Sequence, residues 1–263
     1  MNSQTTTPSA SNDLPLFYRK PVLLRFEEHK KTALKPAAGY AFSAGANAVP
    51  LLIGEFAHAA RHYPIVFTGT TAPNPVVLLG LKEGQNLFLA GDGSWKTGAY
   101  VPAYLRRYPF VVTETADRSQ QLLAVDADSD RVTEIGTDAD ALPLFEANGA
   151  PAPAASQAMA FCHAFHQDHL RNEAFGAALN DQGLLVERHA EMQFPDNSRY
   201  TLNGFKVVDA QKFQALADAE LLRDWHAKGW LAAIALHLAS MLNWEALLLL
   251  NAEAKKMSEQ GVA

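Results

Sequence analysis

The sequence has almost no cysteine and no run of basic residues. Its single cysteine, Cys162, cannot form a disulfide within the chain, and a cysteine-rich zinc module is excluded for the same reason. Lys and Arg number 22 against 28 Asp and Glu, which gives a formal net charge of −6. Because nucleic acids and anionic membranes attract basic surfaces, neither is predicted as a main partner.

The amino-terminal segment also lacks the apolar core of a signal peptide, since residues 1–16 are mostly polar. This segment is predicted to be a disordered tail, and the protein is predicted to be cytoplasmic. Residues 229–250 are long and apolar enough to suggest a membrane span, but they include Glu245. A carboxylate at the membrane centre costs about 2.5–3.5 kcal/mol, while each Leu returns only about 0.5. A buried helix is therefore predicted here, and no membrane span.

Four apolar runs separated by Gly, Pro and Asn lie between Tyr63 and Thr113. Two of them follow a Tyr-Pro pair, where the proline disfavours helix for the preceding tyrosine. The β-branched and aromatic residues that come next favour strands at 64–67 and 109–112. With 48% hydrophobic residues the chain can bury a full core, and these strands are predicted to belong to a sheet.

The second half of the chain has helical rather than strand patterns. We predict a strand-rich part at 17–147, and a helix-rich part at 154–252 that shares a core with it. The residues beyond, 253–263, are predicted to be a flexible tail. The fold class is therefore α+β, with a mostly antiparallel sheet and packed helices in the amino-terminal part, and a helix-rich carboxyl-terminal part that contains a small β-hairpin. The helix-rich part is predicted to contain helices at 156–170, 172–182 and 229–250, and the hairpin strands at 184–194 and 199–208.

Tyrosine and arginine are concentrated around one short predicted helix. Both residue types are common at protein interfaces, and arginine can hold a carboxylate with two hydrogen bonds. One interpretation is a binding surface, and the other is a local role in packing and in capping carbonyl groups. The candidate binding residues are Trp95, Tyr100, Tyr104, Arg106 and Arg107.

Three histidines, His163, His166 and His169, recur every third residue in a predicted helix. Imidazole is a ligand for iron and zinc, so these residues together with His189 form the alternative prediction of a metal site. The other interpretation is that Phe165 and its neighbours are buried and the histidines lie on the solvent-exposed face of the helix. Glu55, with two histidines after it, is predicted to belong to a polar helix face.

Two stretches carry a family resemblance: GSWKTGAYVPAYLRRYPFVV at 93–112 and GWLAAIALHLASMLNW at 229–244. In these the chain resembles the SapC-like family of bacterial proteins, named after a surface-layer-associated protein, over about 36–250. The resemblance implies a role linked to cell-surface or peptide-related systems, and it supplies no catalytic residue. We expect a non-catalytic intracellular binding or accessory protein with a protein partner and no cofactor, and self-association into a homo-oligomer stays open. The alternative is a metal-dependent enzyme, with iron or zinc, that acts on a peptide or small molecule.

Overall fold

The computed structural model describes residues 14–37, 39–70, 73–114, 120–193 and 199–260. The α+β fold class is confirmed, with antiparallel sheets formed mainly by the first half of the chain and helices in the second. The strands are β1 (Pro21–Leu23), β2 (Thr32–Leu34), β3 (Ala48–Pro50), β4 (Ile65–Thr68), β5 (Asn74–Leu78), β6 (Phe110–Glu114), β7 (Gln121–Asp126), β8 (Val132–Glu134), β9 (Leu142–Pro143), β10 (Leu185–Gln193) and β11 (Arg199–Val208). The α-helices are α1 (Phe26–His29), α2 (Phe56–Ala59), α3 (Ala103–Arg106), α4 (Pro153–Asp181), α5 (Ala210–Gln214), α6 (Ala219–Ala227), α7 (Trp230–Ser240) and α8 (Asn243–Gln260).

The described strands form three antiparallel sheets. The largest has the order β10-β11-β4-β5-β3, and the two smaller sheets have the orders β1-β7-β6 and β8-β2-β9. The strands predicted at 64–67 and 109–112 are confirmed as β4 and β6. In both places a short helix ends just before a Tyr-Pro pair and the chain becomes extended, as the restriction by proline requires.

The hairpin predicted in the helix-rich part is present as β10 and β11, but it is not confined to that part. Lys206 of β11 pairs with Phe67 of β4, so the hairpin extends the largest sheet. The two parts therefore contribute strands to one sheet. The turn predicted at 195–198 lies outside the described residues.

The helices differ from prediction in three places. The helices predicted at 156–170 and 172–182 are one continuous helix, α4. The helix predicted at 229–250 is two, α7 and α8, which meet at an angle of 41°. Since α8 continues to Gln260, most of the tail predicted at 253–263 is helical. Among the described residues, no single helix combines the length and apolar character needed to cross a bilayer.

The main core lies between the largest sheet and the helices α4 and α7. Its largest fully buried side chains include Phe67, Phe175 and Trp225, and Trp230 packs beside them at 8% exposure. Burying one such side chain contributes about 1.5–3 kcal/mol. A second cluster lies between α4 and the sheet β1-β7-β6. The long helix α4 thus joins the two clusters, and its middle turns lie between them.

Candidate functional site

Glu55 organises one half of the predicted tyrosine and arginine group. Its carboxylate is only 6% exposed, so the polar helix face predicted for it is wrong. Oε1 accepts hydrogen bonds from the Tyr100 hydroxyl and the Ala103 N–H, each at 2.7 Å, and Oε2 accepts from the Leu52 N–H at 2.9 Å. Arg106 lies 3.6 Å from Oε1. The carboxylate therefore joins the turn at 52–55 to the start of α3.

Trp95 belongs to the core rather than to a surface, with 8% exposure. Its indole N–H donates to the Tyr63 hydroxyl at 3.0 Å, and that hydroxyl donates to the Tyr100 carbonyl. Burial raises the pKa of Tyr63 and holds it in the protonated, donating form. Trp95 and Tyr100 thus have local structural roles, and of this group Arg106 has the most exposed side chain.

Arg107 lies away from Glu55, between the aromatic rings of Tyr104 and Phe165. Its guanidinium carbon lies 4.2 Å from the ring centroid of Tyr104 and 4.3 Å from that of Phe165. Cation–π contacts of this kind contribute about 0.5–2 kcal/mol each. The Tyr104 hydroxyl donates to the carbonyl of Leu16 at 3.2 Å, which fixes the ring. The arginine is therefore held in one position by α3 and α4 together.

A cavity of about 230 Å³ opens beside this guanidinium, and we name it the Arg107 pocket. Two of the predicted metal ligands, His166 and His169, line it, so α4 brings them to the same place as Tyr104 and Arg107. The residues that line it are Pro15, Pro50, Tyr104, Arg107, Val112, Cys162, Phe165, His166 and His169.

The other two predicted metal ligands are elsewhere. His163 is exposed on α4 and does not line the Arg107 pocket. His189 lies on β10 at an irregularity in the strand pairing, where it lines a separate polar hollow with Glu187 and Lys206. Within the described residues, no three His, Cys, Asp or Glu side chains are grouped so that they could hold a metal ion. The iron or zinc alternative stays a prediction, which elemental analysis of the purified protein tests.

Burial shifts the pKa values of two residues that line the pocket. Burial lowers the pKa of His169, the charges of His166 and Arg107 lower it further, and Glu173 opposes them. Burial raises the pKa of Cys162 to about 11, with Arg107 opposing. The thiol is therefore protonated at neutral pH, and it lacks the thiolate that makes cysteine a nucleophile.

The two histidines have carboxylates near them, but the arginine does not. The His166 Nε2 lies 3.4 Å from Glu114 and the His169 Nε2 lies 3.7 Å from Glu173. Among the described side chains, no carboxylate lies within ion-pairing distance of Arg107. Its Nε is buried and has no hydrogen-bond partner in the part of the chain that the structure describes. A buried donor without an acceptor is costly.

Sequence reasoning missed Cys162 and Phe165 as members of this site. The signal was present in their spacing, because residues 162, 165, 166 and 169 recur at i, i+3, i+4 and i+7, which is one face of a helix. The role of Glu55 had no sequence signal: its bond from the Leu52 N–H is one half of a capping box, but Leu52 has no side-chain oxygen to form the other half.

The structure is thus that of an α+β protein with a small cavity between α3 and α4. The SapC family model matches residues 24–247, and the chain belongs to the SapC family. No curated protein and no solved structure matches the chain.

Proposed function

We propose that this SapC-family protein is a non-catalytic binding or accessory protein that holds a small ligand, or the end group of a larger one, in the Arg107 pocket. One observation carries the proposal: a half-buried arginine is held between aromatic rings on the wall of a cavity, and no carboxylate of the described residues pairs with it. The cavity volume of about 230 Å³ is smaller than that of a drug-sized site, which starts at about 300 Å³. A ligand of few atoms therefore fits.

The chemistry of the pocket supports binding rather than covalent catalysis. Cys162 is 4% exposed and protonated, and its burial resembles that of an inert structural cysteine. No Asp or Glu is among the described residues that line the pocket, so a carboxylate acid or base is not offered there. The positioned groups are a fixed cation, two imidazoles and apolar walls.

The wider setting of the function is also part of the proposal. Family membership supports a link to cell-surface or peptide-related systems, and we retain the protein partner and the cytoplasmic location predicted above. The exposed Arg106, beside Glu55, is the contact proposed for that partner. A pull-down in which Arg106→Ala captures the same proteins as the wild type would count against this contact, and fractionation without detergent tests the location.

Ligand screening with a blocked pocket tests the main proposal. Protein-observed NMR with a fragment library of mixed charge should give hits in the wild type. Val112→Phe, on the pocket wall, should weaken these hits at least about tenfold, because the larger ring fills the cavity. Val111→Phe is the matched control, since the neighbouring side chain on β6 does not line the pocket.

Circular dichroism and urea unfolding must first show that both variants are folded. His169→Phe fills the same cavity from α4 and gives an independent test. A library without hits, or hits that bind equally to all three variants, would overturn the proposal that the Arg107 pocket is a binding site.

A further inference from the structure

The ligand class of the Arg107 pocket follows from the charge that the described residues leave unbalanced there. We infer that the pocket binds a carboxylate carried on an apolar body, with the guanidinium of Arg107 as its counterion. This inference rests on the proposed function, because it names the ligand of the same pocket. The experiment below distinguishes a failure of this inference from a failure of the proposed function. It compares ligands of different charge at a site that the fragment screen identifies independently.

Aromatic rings hold the guanidinium of Arg107 in place. The Tyr104 and Phe165 rings lie within 4.3 Å of the guanidinium carbon, and the Tyr18 ring lies at 5.7 Å. These contacts fix the side chain, but an aromatic ring has no net charge and cannot neutralise a cation. A positioned guanidinium is pre-organised for a planar acceptor, because its N–H donors form a rigid fork.

Arg107 differs from other cations of the described chain in its partners. Arg171 lies 2.8 Å from Asp168, and Lys228 lies 2.7 Å from Asp224. Arg131 is half-buried like Arg107, but its guanidinium donates to the carbonyls of Lys35 and Tyr108. Arg107 has neither arrangement among the described residues, although its Nε is buried. Because the ring contacts stabilise this half-buried cation without neutralising its charge, an added anion is favoured.

The histidines of the pocket have partners of their own. His166 and His169 are adjacent on one face of α4 and line the pocket with Arg107. The Nε2 of His166 lies near Glu114, and the Nε2 of His169 lies near Glu173. These two acids therefore pair with the histidines and not with the arginine. A neutral imidazole has one N–H donor, and here the Nε2 of each histidine faces a Glu. The arrangement therefore offers one full charge to a single anion, and the donors come from the guanidinium.

Carboxylate and phosphate differ in charge and in shape. A carboxylate has one negative charge and a planar pair of oxygens that matches the guanidinium fork. Phosphate monoesters carry about 1.5–2 charges near neutral pH and require more donors than one arginine supplies. Pro15, Pro50 and Val112 make the remaining wall apolar, which suits a hydrocarbon or aromatic body behind the carboxylate.

Four probes test the inference: benzoate, its neutral analogue benzamide, the cation benzylammonium, and inorganic phosphate. Titration calorimetry of the wild type should show benzoate binding with a Kd of about 1 mM or tighter, and benzamide at least about tenfold weaker. Arg107→Lys keeps the charge but loses the fork, and it should weaken benzoate about tenfold or more. Arg171→Lys makes the same change on α4 outside the pocket and should leave the Kd within about twofold.

An NMR readout on the wild type guards against a variant that fails to fold. The Nε–Hε resonance of Arg107 should shift on addition of benzoate, because the charge and the ring of a ligand in the pocket lie beside the guanidinium that lines it. A resonance that benzoate leaves unmoved would overturn the inference whatever the variants do.

Each other result with the four probes also tests the carboxylate inference. Equal binding of benzamide or benzylammonium at this pocket overturns the carboxylate class while the pocket stays a binding site. Phosphate that binds more tightly than benzoate overturns the choice between the two anions. Failure of all four probes overturns the inference, and the fragment screen with Val112→Phe then decides separately whether the pocket binds any ligand.

Discussion

The side chain of Asn172, in the middle of α4, accepts a hydrogen bond from the N–H of Ile53 at 2.8 Å and donates one to the carbonyl of Leu51 at 2.7 Å. The asparagine is 2% exposed. One amide thus satisfies a donor and an acceptor of a segment 119 residues away along the chain, just before the turn that contains Glu55. It couples the helix that carries the pocket histidines to the network that positions α3.

The first prediction concerns this coupling. Asn172→Ala should lower the free energy of unfolding by about 2–3 kcal/mol, because it leaves the Ile53 N–H and the Leu51 carbonyl without partners in a buried place. Urea denaturation measures the change. Asn180→Ala on the same helix is exposed and should cost less than about 0.5 kcal/mol. Equal costs for the two variants would contradict the structural role given to Asn172.

The same residue shows why α4 was predicted in two pieces. Asparagine is a frequent N-cap, so the sequence pattern favoured a helix start at residue 172. That preference is about 1 kcal/mol, and the two buried hydrogen bonds of Asn172 outweigh it. The bonds depend on Leu51 and Ile53, which are remote in sequence, so no local pattern could reveal them. By contrast, β4 and β6 were predictable because their signals, Tyr-Pro pairs and β-branched runs, are local.

The second prediction concerns Gly176, one turn further along α4. A Cβ there would lie 1.9 Å from the carbonyl oxygen of Pro73, so backbone would have to move. Gly→Ala inside a helix normally stabilises by about 1 kcal/mol, but here the clash reverses the sign. Gly176→Ala should destabilise by about 2 kcal/mol or more in thermal or urea unfolding.

Gly45→Ala is the control for this change. No atom lies within 4 Å of an added Cβ at Gly45, so that variant should be neutral within about 0.5 kcal/mol. A Gly176→Ala protein at least as stable as the wild type would contradict the close approach of α4 to the segment before β5.

The third prediction concerns Glu55. Both carboxylate oxygens face N–H or O–H donors, so the amide group of Glu55→Gln must turn its NH₂ toward a donor in either orientation. We expect a loss of about 3 kcal/mol in unfolding free energy, within the range for hydrogen bonds to a buried charge. Glu28→Gln removes an exposed ion pair with Arg25 and should cost under about 0.5 kcal/mol. Similar losses for both would show that the Glu55 network is not structural.

The candidate site was predictable only in part. The tyrosines, arginines and histidines were singled out by residue type, and the helical spacing of residues 162–169 indicates one face. The contact between that face and Arg107 depends on how α3 packs on α4, which is a tertiary relation. Residue type also could not distinguish the roles of Arg106 and Arg107. These adjacent arginines lie in different surroundings, Arg106 beside Glu55 and Arg107 between two aromatic rings.

The fourth prediction is a pH dependence of stability that originates at His237. This residue is fully buried, its Nδ1 donates to the Ile65 carbonyl at 2.8 Å, and its Nε2 accepts from the Val208 N–H at 3.0 Å. Burial lowers the pKa of His237 to about 4 from its usual 6.5. Between these values the unfolded chain binds a proton that the folded chain does not, so the folded state loses stability as the pH falls.

Over that interval the loss from His237 should approach about 3 kcal/mol, as the separation of the two pKa values requires. Urea denaturation at several pH values between 7.5 and 4.5 measures it. His237→Gln should be less stable at pH 7.5, because a buried hydrogen-bond pair is disturbed, yet its stability should depend less on pH than that of the wild type. His226→Gln, at an exposed position, should keep the wild-type dependence. A His237→Gln protein with the full wild-type slope would mean that the buried imidazole is not the group that titrates.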